Sequence, residues 1–206
     1  MRTNDKFKNQ RVGIFIDVQN LYHSAKNLYR ARVNYEALIE HLVGERQLIR
    51  SMAYVVKSDT VLEAKESKMP DARRTEVQNQ NSDGRHLSSE AAFFEALENA
   101  GLELRVKDLQ VYADGFKKAD WDVGMAVDAI RMSEFLDVVI LVTGDGDFLP
   151  LIDYVKWGLG RYVEVAAFRR SASAKIQEAA DQFINIEDIP RAIMKSAALR
   201  GRRPGR

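Results

Sequence analysis

The sequence predicts an α/β domain: an open, mainly parallel sheet of five strands with helices on both faces. Three observations lead there. Five short runs rich in Val, Ile, Leu or Tyr are apolar almost throughout, as strands covered on both sides should be. Helical patterns fall between these runs, which requires right-handed crossovers between parallel strands. Three carboxylate-bearing segments stand where a strand gives way to a turn or helix, the edge at which open parallel sheets bind ligands.

The elements follow in chain order. Residues 1–10 form a polar N-terminal tail, and the domain itself spans 11–190. Val12–Asp17 is the first strand. Asn20–Tyr29 is a helix, and Asn34–Leu42 a second, with Leu38, Ile39 and Leu42 on one face. Ser51–Val56 is the second strand. The stretch 57–89 is a polar insertion, with Pro70 in its first half and Q-N-Q-N-S-D-G-R-H in its second; structureless connections this long are commonly mobile surface segments. A short helix is expected within it at Thr60–Lys68. Glu90–Ala100 presents Phe93, Phe94 and Leu97 and stops at Gly101, a natural C-cap. Leu102–Val106 is the third strand. Trp121–Phe135 is a helix carrying Val123, Val127, Ile130 and Phe135. Asp137–Thr143 is the fourth strand. Phe148–Trp157 is a helix with Leu151, Ile152 and Val155 inward, stopping at Gly158. Tyr162–Ala167 is the fifth strand, Ser173–Phe183 the last core helix, and Ile184–Ile186 a short addition to the sheet edge. Residues 191–206 form a basic C-terminal tail.

Composition narrows the chemistry. The chain has 206 residues, 46% of them hydrophobic and 30% charged, enough apolar mass for a real core. It has no cysteine, which excludes disulfides, thiolate metal sites and cysteine nucleophiles. The three histidines, His23, His41 and His86, are too scattered for a histidine-rich zinc site. No apolar run is long enough to span a membrane and the N-terminus lacks a signal-peptide pattern, so the expected location is cytoplasmic. The net charge is +1, from 31 basic and 30 acidic residues. Six of the basic residues lie in 191–206, which has no acid; the remainder holds 25 basic against 30 acidic residues. An acidic body with a basic tail fits a carboxylate pocket with an appended nucleic-acid contact, although such a tail is also an ordinary solvated chain end.

The three carboxylate segments carry the functional reading. In R-V-G-I-F-I-D-V-Q-N the strand delivers Asp17, with Asn20 three residues on. Taken alone, Asp17 reads more readily as a helix cap than as a catalyst, and Asn20 can cap as well. In V-V-I-L-V-T-G-D-G-D-F, glycines before and between Asp145 and Asp147 let both side chains turn toward one ion. Asp147 also suits the cap of the following helix. In D-W-D-V-G-M-A-V-D, Asp122 near the helix start is the better ligand candidate. Asp128 lies about 120° from it around an ideal helix, placed to orient Lys118, another basic side chain or a water. Aspartates converging on one edge repel one another unless a cation sits among them. A hard divalent ion, Mg²⁺ or Mn²⁺, suits their oxygen ligands and keeps open positions for phosphate. The expected chemistry is metal-assisted phosphodiester hydrolysis.

These motifs resemble one family. F-I-D-V-Q-N, K-K-A-D-W-D-V-G-M-A-V-D, V-T-G-D-G-D-F-L-P-L and G-R-Y-V-E-V-A-A-F-R-R-S resemble, in order and spacing, the NYN-domain proteins of the LabA-like group, within the PIN-like superfamily of nucleases. The resemblance covers roughly 11–188 apart from the insertion. It implies a Rossmann-like (PIN-like) parallel sheet, an acidic metal pocket and ribonuclease activity. It maps the family's acidic positions onto Asp17, Asp122, Asp145 and Asp147, with Asn20 and Asp128 as accessory positions. Thr143 stands where many relatives have Ser and keeps the hydroxyl.

Other enzyme classes fit less well. A haloacid-dehalogenase-like phosphatase needs a second Asp two residues after its nucleophile, where this chain has Gln19. A P-loop needs G-x-x-x-x-G-K-S/T, which does not occur. A dinucleotide site needs glycines where Asp17, Val18 and Gln19 stand. A serine hydrolase lacks a suitable histidine. The non-enzymatic alternative is an RNA- or protein-binding regulator on the same fold. An acidic pocket repels RNA, so basic groups must hold it: Lys117 and Lys118 before the acidic helix, Arg169 and Arg170 after the fifth strand, and the tail. The stretch around Arg169 reads equally as a solvated turn capped by Ser171 or Ser173. Exposed apolar residues near Tyr22 and Tyr29 would support a homodimer.

Overall fold

The computed structural model describes residues 8–57, 82–108, 110–111, 117–118 and 121–195; for 82–89, 110–111, 117–118 and 195 it describes the backbone alone. The expected helix at Thr60–Lys68, most of the insertion, the first seven residues and 196–206 lie outside the described residues.

Strand β1 (Arg11–Asp17) leads into helix α1 (Val18–Tyr29), strand β2 (Ala31–Val33), helix α2 (Tyr35–Val43) and strand β3 (Gln47–Lys57). Helix α3 (Ser82–Asn99) precedes β4 (Glu103–Asp108), the short strands β5 (Gln110–Val111) and β6 (Lys117–Lys118), and α4 (Asp122–Met132). Then come β7 (Val138–Val142), α5 (Leu149–Asp153), β8 (Tyr162–Ala167), α6 (Ala174–Ala179), β9 (Gln182–Asn185) and β10 (Ile193–Lys195).

The main sheet has six strands in the order β4-β3-β1-β7-β8-β9, every adjacent pair parallel. Renumbered by appearance in the sheet, this is the doubly wound order 3-2-1-4-5-6, with its reversal between β1 and β7. Two-residue periodicity sorts the strand side chains onto two cores. Val12, Ile14, Ile16, Val138, Ile140 and Val142 join α1, α2 and α3 on one face. Phe15, Val139, Leu141, Val163 and Val165 join α4, α5 and α6 on the other.

The expected five strands are all present, and the short edge addition expected at Ile184–Ile186 is β9, Gln182–Asn185, the sixth. The last core helix was expected to run to Phe183; it stops at Ala179, and Phe183 lies in β9. Asp181 explains the stop. Its carboxylate accepts from Val163 N at 2.8 Å and pairs with Lys156 at 3.0 Å, while its own N–H donates to Val163 O. These bonds turn the chain onto the edge of β8. Helix α3 starts at Ser82, earlier than the expected Glu90. Of the apolar residues the expected helix Trp121–Phe135 carries, Val123, Val127 and Phe135 are exposed, and Met125, Ala129 and Ser133 are buried instead; α4 itself stops at Met132, and Ser133–Phe135 form a 3-10 turn. The strands β2 and β10 pair antiparallel, and Ala192 is fully buried, so packing runs past the expected domain end at 190. Among the described residues, no helix is long and apolar enough to cross a membrane.

One buried ion pair serves the sheet's outer half. Glu164 of β8 points into the α2 face and receives both Arg46 Nη atoms, at 2.6 and 3.0 Å. The same guanidinium donates to the carbonyls of Leu42 and Val43 at the end of α2. At the edge opposite the strand C-termini, Arg11 donates to Asp137 through its backbone N (2.8 Å), Nε (3.1 Å) and Nη2 (2.8 Å). This fork fixes the relative register of β1 and β7 where both enter the sheet.

The fork gives a pH prediction. Hydrogen bonds from Arg11 lower the Asp137 pKa to about 2. A carboxylate depressed in the folded state contributes stability above its unfolded pKa, and that contribution is lost as pH falls through the folded value. Urea unfolding of the wild type should therefore lose stability between roughly pH 4 and pH 2, with Asp137→Asn losing less over that window. Both side chains are partly exposed, so the effect should be modest and weaken in salt. Identical pH slopes for the two proteins would show that the pair contributes nothing.

Candidate functional site

The site lies at the C-terminal ends of β1 and β7, the reversal point of the strand order. Register places Ile16 beside Val142, so Asp17 and Thr143 leave the sheet side by side. Asp17 is the N-cap of α1: its Oδ1 accepts from Asn20 N at 3.0 Å. Its Oδ2 accepts from the Thr143 hydroxyl at 3.3 Å. Thr143 Oγ1 also accepts from Asp145 N at 3.2 Å. The Asn20 side chain accepts from Gly144 N at 3.0 Å. Thus α1 and the turn after β7 are stitched together through two uncharged side chains. Burial raises the Asp17 pKa above the ordinary carboxylate value; the hydrogen bonds from Asn20 and Thr143 oppose this, and the nearby charge of Asp145 adds to it.

Asp145, Gly146 and Asp147 form the tight turn into α5. Asp145 caps this turn, accepting from Asp147 N at 3.0 Å. The sequence pointed to Asp147 as the cap of the following helix; in the structure α5 has no side-chain cap, and Asp145, with extended backbone, caps the 3-10 turn that precedes it. Gly144 packs against the chain before α6: a Cβ there would come within 3.0 Å of Ala172 Cα.

Asp122, in the first turn of α4, closes the group. Ligand oxygens of Asp122, Asp145 and Asp147 all lie within 4.8 Å of one another. Asp122 and Asp145 are partly buried and Asp147 is exposed. Asp17 stands beside this trio without belonging to it at that distance. Asp128 is elsewhere: it accepts from the Tyr54 hydroxyl at 3.1 Å and pairs with Arg105 Nε at 3.3 Å. It therefore orients a basic side chain, one of the expected options, with Arg105 as that partner. Lys117 and Lys118 form β6, paired with β5, and their side chains lie outside the described residues. Arg169 turns back onto its own loop, with Nη1 donating to Gln177 at 3.5 Å and the guanidinium 5.1 Å from the Phe183 ring centroid. Arg170 is exposed.

Sequence reasoning missed Trp121, the residue before Asp122. Its indole N–H donates to Val55 O at 2.8 Å, and its ring meets Tyr54 edge-on at 5.5 Å between centroids. Lys107 lies over the ring. This anchoring sets where α4 begins, and so where Asp122 stands. The available signal was an aromatic residue between two aspartates with glycine three residues on.

A Cβ on Gly124 would lie 2.6 Å from Trp121 Cε3, so that glycine makes room for the ring. Alanine in a helix interior normally gains up to about 1 kcal/mol over glycine. Overpacking against a tethered ring costs about 1–3 kcal/mol. Gly124→Ala should therefore lower the urea midpoint despite the better helix former, and shift the Trp121 fluorescence. A more stable variant would show that the indole has room to move.

Comparison with known proteins agrees with this geometry. The NYN domain family matches residues 11–187. The protein LabA ("low amplitude and bright") of Synechococcus elongatus is 26% identical over 110 residues, which are 50% of this chain and 59% of LabA. The chain thus spans little more than half of that relative. The crystal structure of a protein of unknown function from Vibrio parahaemolyticus superposes with a TM-score of 0.69 at 26% identity, over 91% of this chain and 98% of the other. Matching family, relative and fold together, this chain belongs to the NYN domain family, in its LabA-like group, a branch of the PIN-like nuclease superfamily.

Proposed function

We propose that the protein is a metal-dependent ribonuclease hydrolysing RNA phosphodiester bonds. One observation carries the reading: three carboxylates from two separate segments converge at the sheet's reversal point, with oxygens within 4.8 Å of one another. That donor set, all oxygen, fits a hard divalent ion such as Mg²⁺ or Mn²⁺ and does not fit a soft metal. Asp122, Asp145 and Asp147 would hold it, with Asp17 facing it from β1. When bound, the ion supplies positive charge against the phosphate oxygens and acidifies water for the attack on phosphorus.

The chain's own groups prepare the site. Asp145 and Asp147 are fixed relative to each other by the cap bond between them. Thr143 and Asn20 hold the β7 turn against α1 without adding charge. Burial raises the Asp17 pKa, and the hydrogen bonds of Asn20 and Thr143 oppose that rise. Lys117, Lys118, Arg170 and the tail are the candidate phosphate contacts; Arg169, folded onto Gln177, is a weaker one.

The purified chain should cleave labelled RNA with Mg²⁺ or Mn²⁺ and stop when EDTA is added. Asp145→Asn should lower the rate by at least ~100-fold, since even residues behind metal ligands cost 10–100-fold when changed. RNA binding without cleavage in the wild type would favour the regulator reading instead.

Asp17→Asn gives an independent check. It should abolish cleavage yet stabilise the metal-free protein at neutral pH. A carboxylate whose folded pKa is raised destabilises the fold once ionised, and asparagine still caps α1. The gain in melting temperature should disappear as pH falls below the ordinary carboxylate range, where Asp17 is protonated in both states. A variant that cleaves at the wild-type rate would remove Asp17 from the mechanism.

A further inference from the structure

Building on the ribonuclease reading, we propose that the exposed face of α1 is a binding track for single-stranded RNA, in which Tyr22 stacks on a nucleobase and Lys26 and Arg30 take neighbouring phosphates. Tyr22, Lys26 and Arg30 are spaced i, i+4, i+8 along α1 and its C-cap, so they line one face. All three are exposed, while Val18, Leu21 and Ala25 pack the adjoining side of the helix into the core.

The track begins at the acidic site. Asp17 is the N-cap of α1, and Tyr22 follows five residues later, a rise of about 7.5 Å along the axis. The two are also linked through the interior. Tyr35, the first residue of α2, is buried; Asp17 and Tyr22 both act on its phenol, adding to the upward pKa push of burial. Its ring packs 6.3 Å from Phe93, whose ring lies 6.5 Å from Tyr22. Phe93 thus holds the Tyr22 ring, which remains 41% exposed.

The far end is basic. Arg170 lies close enough to Tyr29, the last residue of α1, to lower its pKa, against burial and the Glu187 hydrogen bond that push it up to about 12. The order from the cluster is therefore carboxylates, ring, Lys26, Arg30 and Arg170. A polyanion crossing this surface meets Lys26, Arg30 and Arg170 along α1, with Glu187 beside Tyr29, and a divalent ion is called for at the carboxylates. Lys26 Nζ lies 5.4 Å from the Tyr22 ring centroid. A base entering that face displaces the ammonium, whose flexible stem reaches the phosphate of the same nucleotide. Ring stacking tolerates any base, so the track fits RNA of varied sequence.

Stacking and phosphate contacts leave different signatures, which the test uses. Full-length protein would be titrated with fluorescein-labelled single-stranded RNA at several salt concentrations, with Ca²⁺ as the divalent ion and cleavage followed separately in Mg²⁺. Tyr22→Ala should weaken binding roughly five- to hundred-fold without changing the log–log salt slope. Tyr22→Phe should bind within about two-fold of wild type, since the ring remains. Lys26→Gln with Arg30→Asn should flatten the slope by about 1.4, roughly 0.7 for each lost phosphate contact. Asparagine is chosen because residue 30 has φ 49°, a left-handed conformation it tolerates. An RNA with one abasic nucleotide, moved along the strand, should bind wild type less tightly at one position, and Tyr22→Ala should erase that loss. Wild-type affinity and slope in both variants, with RNA still bound and cleaved, would overturn the track and leave the ribonuclease reading standing. A wild type that binds no RNA would sink both. A Tyr22→Ala protein that changes its oligomeric state while keeping RNA affinity would make this face a self-interface and also overturn the track.

Discussion

Carboxylates held as closely as Asp122, Asp145 and Asp147, with oxygens within 4.8 Å of one another, repel one another. Much of the surrounding structure answers that repulsion. The bonds that hold the β7 turn against α1 run through Thr143, Asn20 and backbone N–H groups, which carry no net charge. Asp147 is exposed, so water screens it. Asp122 arrives on a helix whose start is anchored by an indole, and helix N-termini favour negative charge. The scaffold thus places three acidic groups side by side, the arrangement on which the proposed cation site rests.

The opposite end of the sheet is built from the reverse logic. There charges are paired: Arg11 with Asp137, Arg46 with Glu164, Lys8 with Glu45. A cleft of about 530 Å³ opens beside Arg46 and Glu164, between the end of α2 and β9. Its volume is the size of a small-molecule site, yet none of the acidic cluster lines it, and its buried charges already satisfy one another. Volume and chemistry therefore point to different ends of the molecule. Chemistry is the better guide, because a polymer's phosphodiester bond is reached from an open edge and needs no enclosed cavity.

Much of this was legible in the sequence, and the exceptions have physical causes. The five buried strands announced themselves because strands covered on both faces must be apolar along their whole length. β9 was harder: Q-F-I-N is short, follows a helical pattern, and is fixed as a strand by Asp181 bonding to β8, a contact 18 residues apart in sequence. Asp122, Asp145 and Asp147 were legible as carboxylates at element starts. Which of Asp145 and Asp147 caps the turn was not, since that depends on one backbone conformation. Asp128 shows the limit most clearly. Its partners Tyr54 and Arg105 lie on the neighbouring strands β3 and β4, and no local pattern around Asp128 could name them.

The Val123 and Val127 face of α4 carries the same lesson further. Helical periodicity grouped these valines with Ile130 and Phe135 as the inward stripe, but the core received Met125, Ala129 and Ser133. The competing constraint sits at the helix start. Trp121 must reach Val55 O, Asp128 must meet Tyr54 and Arg105, and Asp122 must face Asp145. Once those polar contacts are fixed, the rotation of α4 is fixed, and small or flexible residues are what fit against Phe15, Met52 and Tyr54. Ser133 enters the core only because its hydroxyl donates to Ala129 O at 2.7 Å. Local hydrophobic pattern here yields to side-chain geometry: the contacts of Trp121 and Asp128 set the helix face, and two valines are left in water as a consequence.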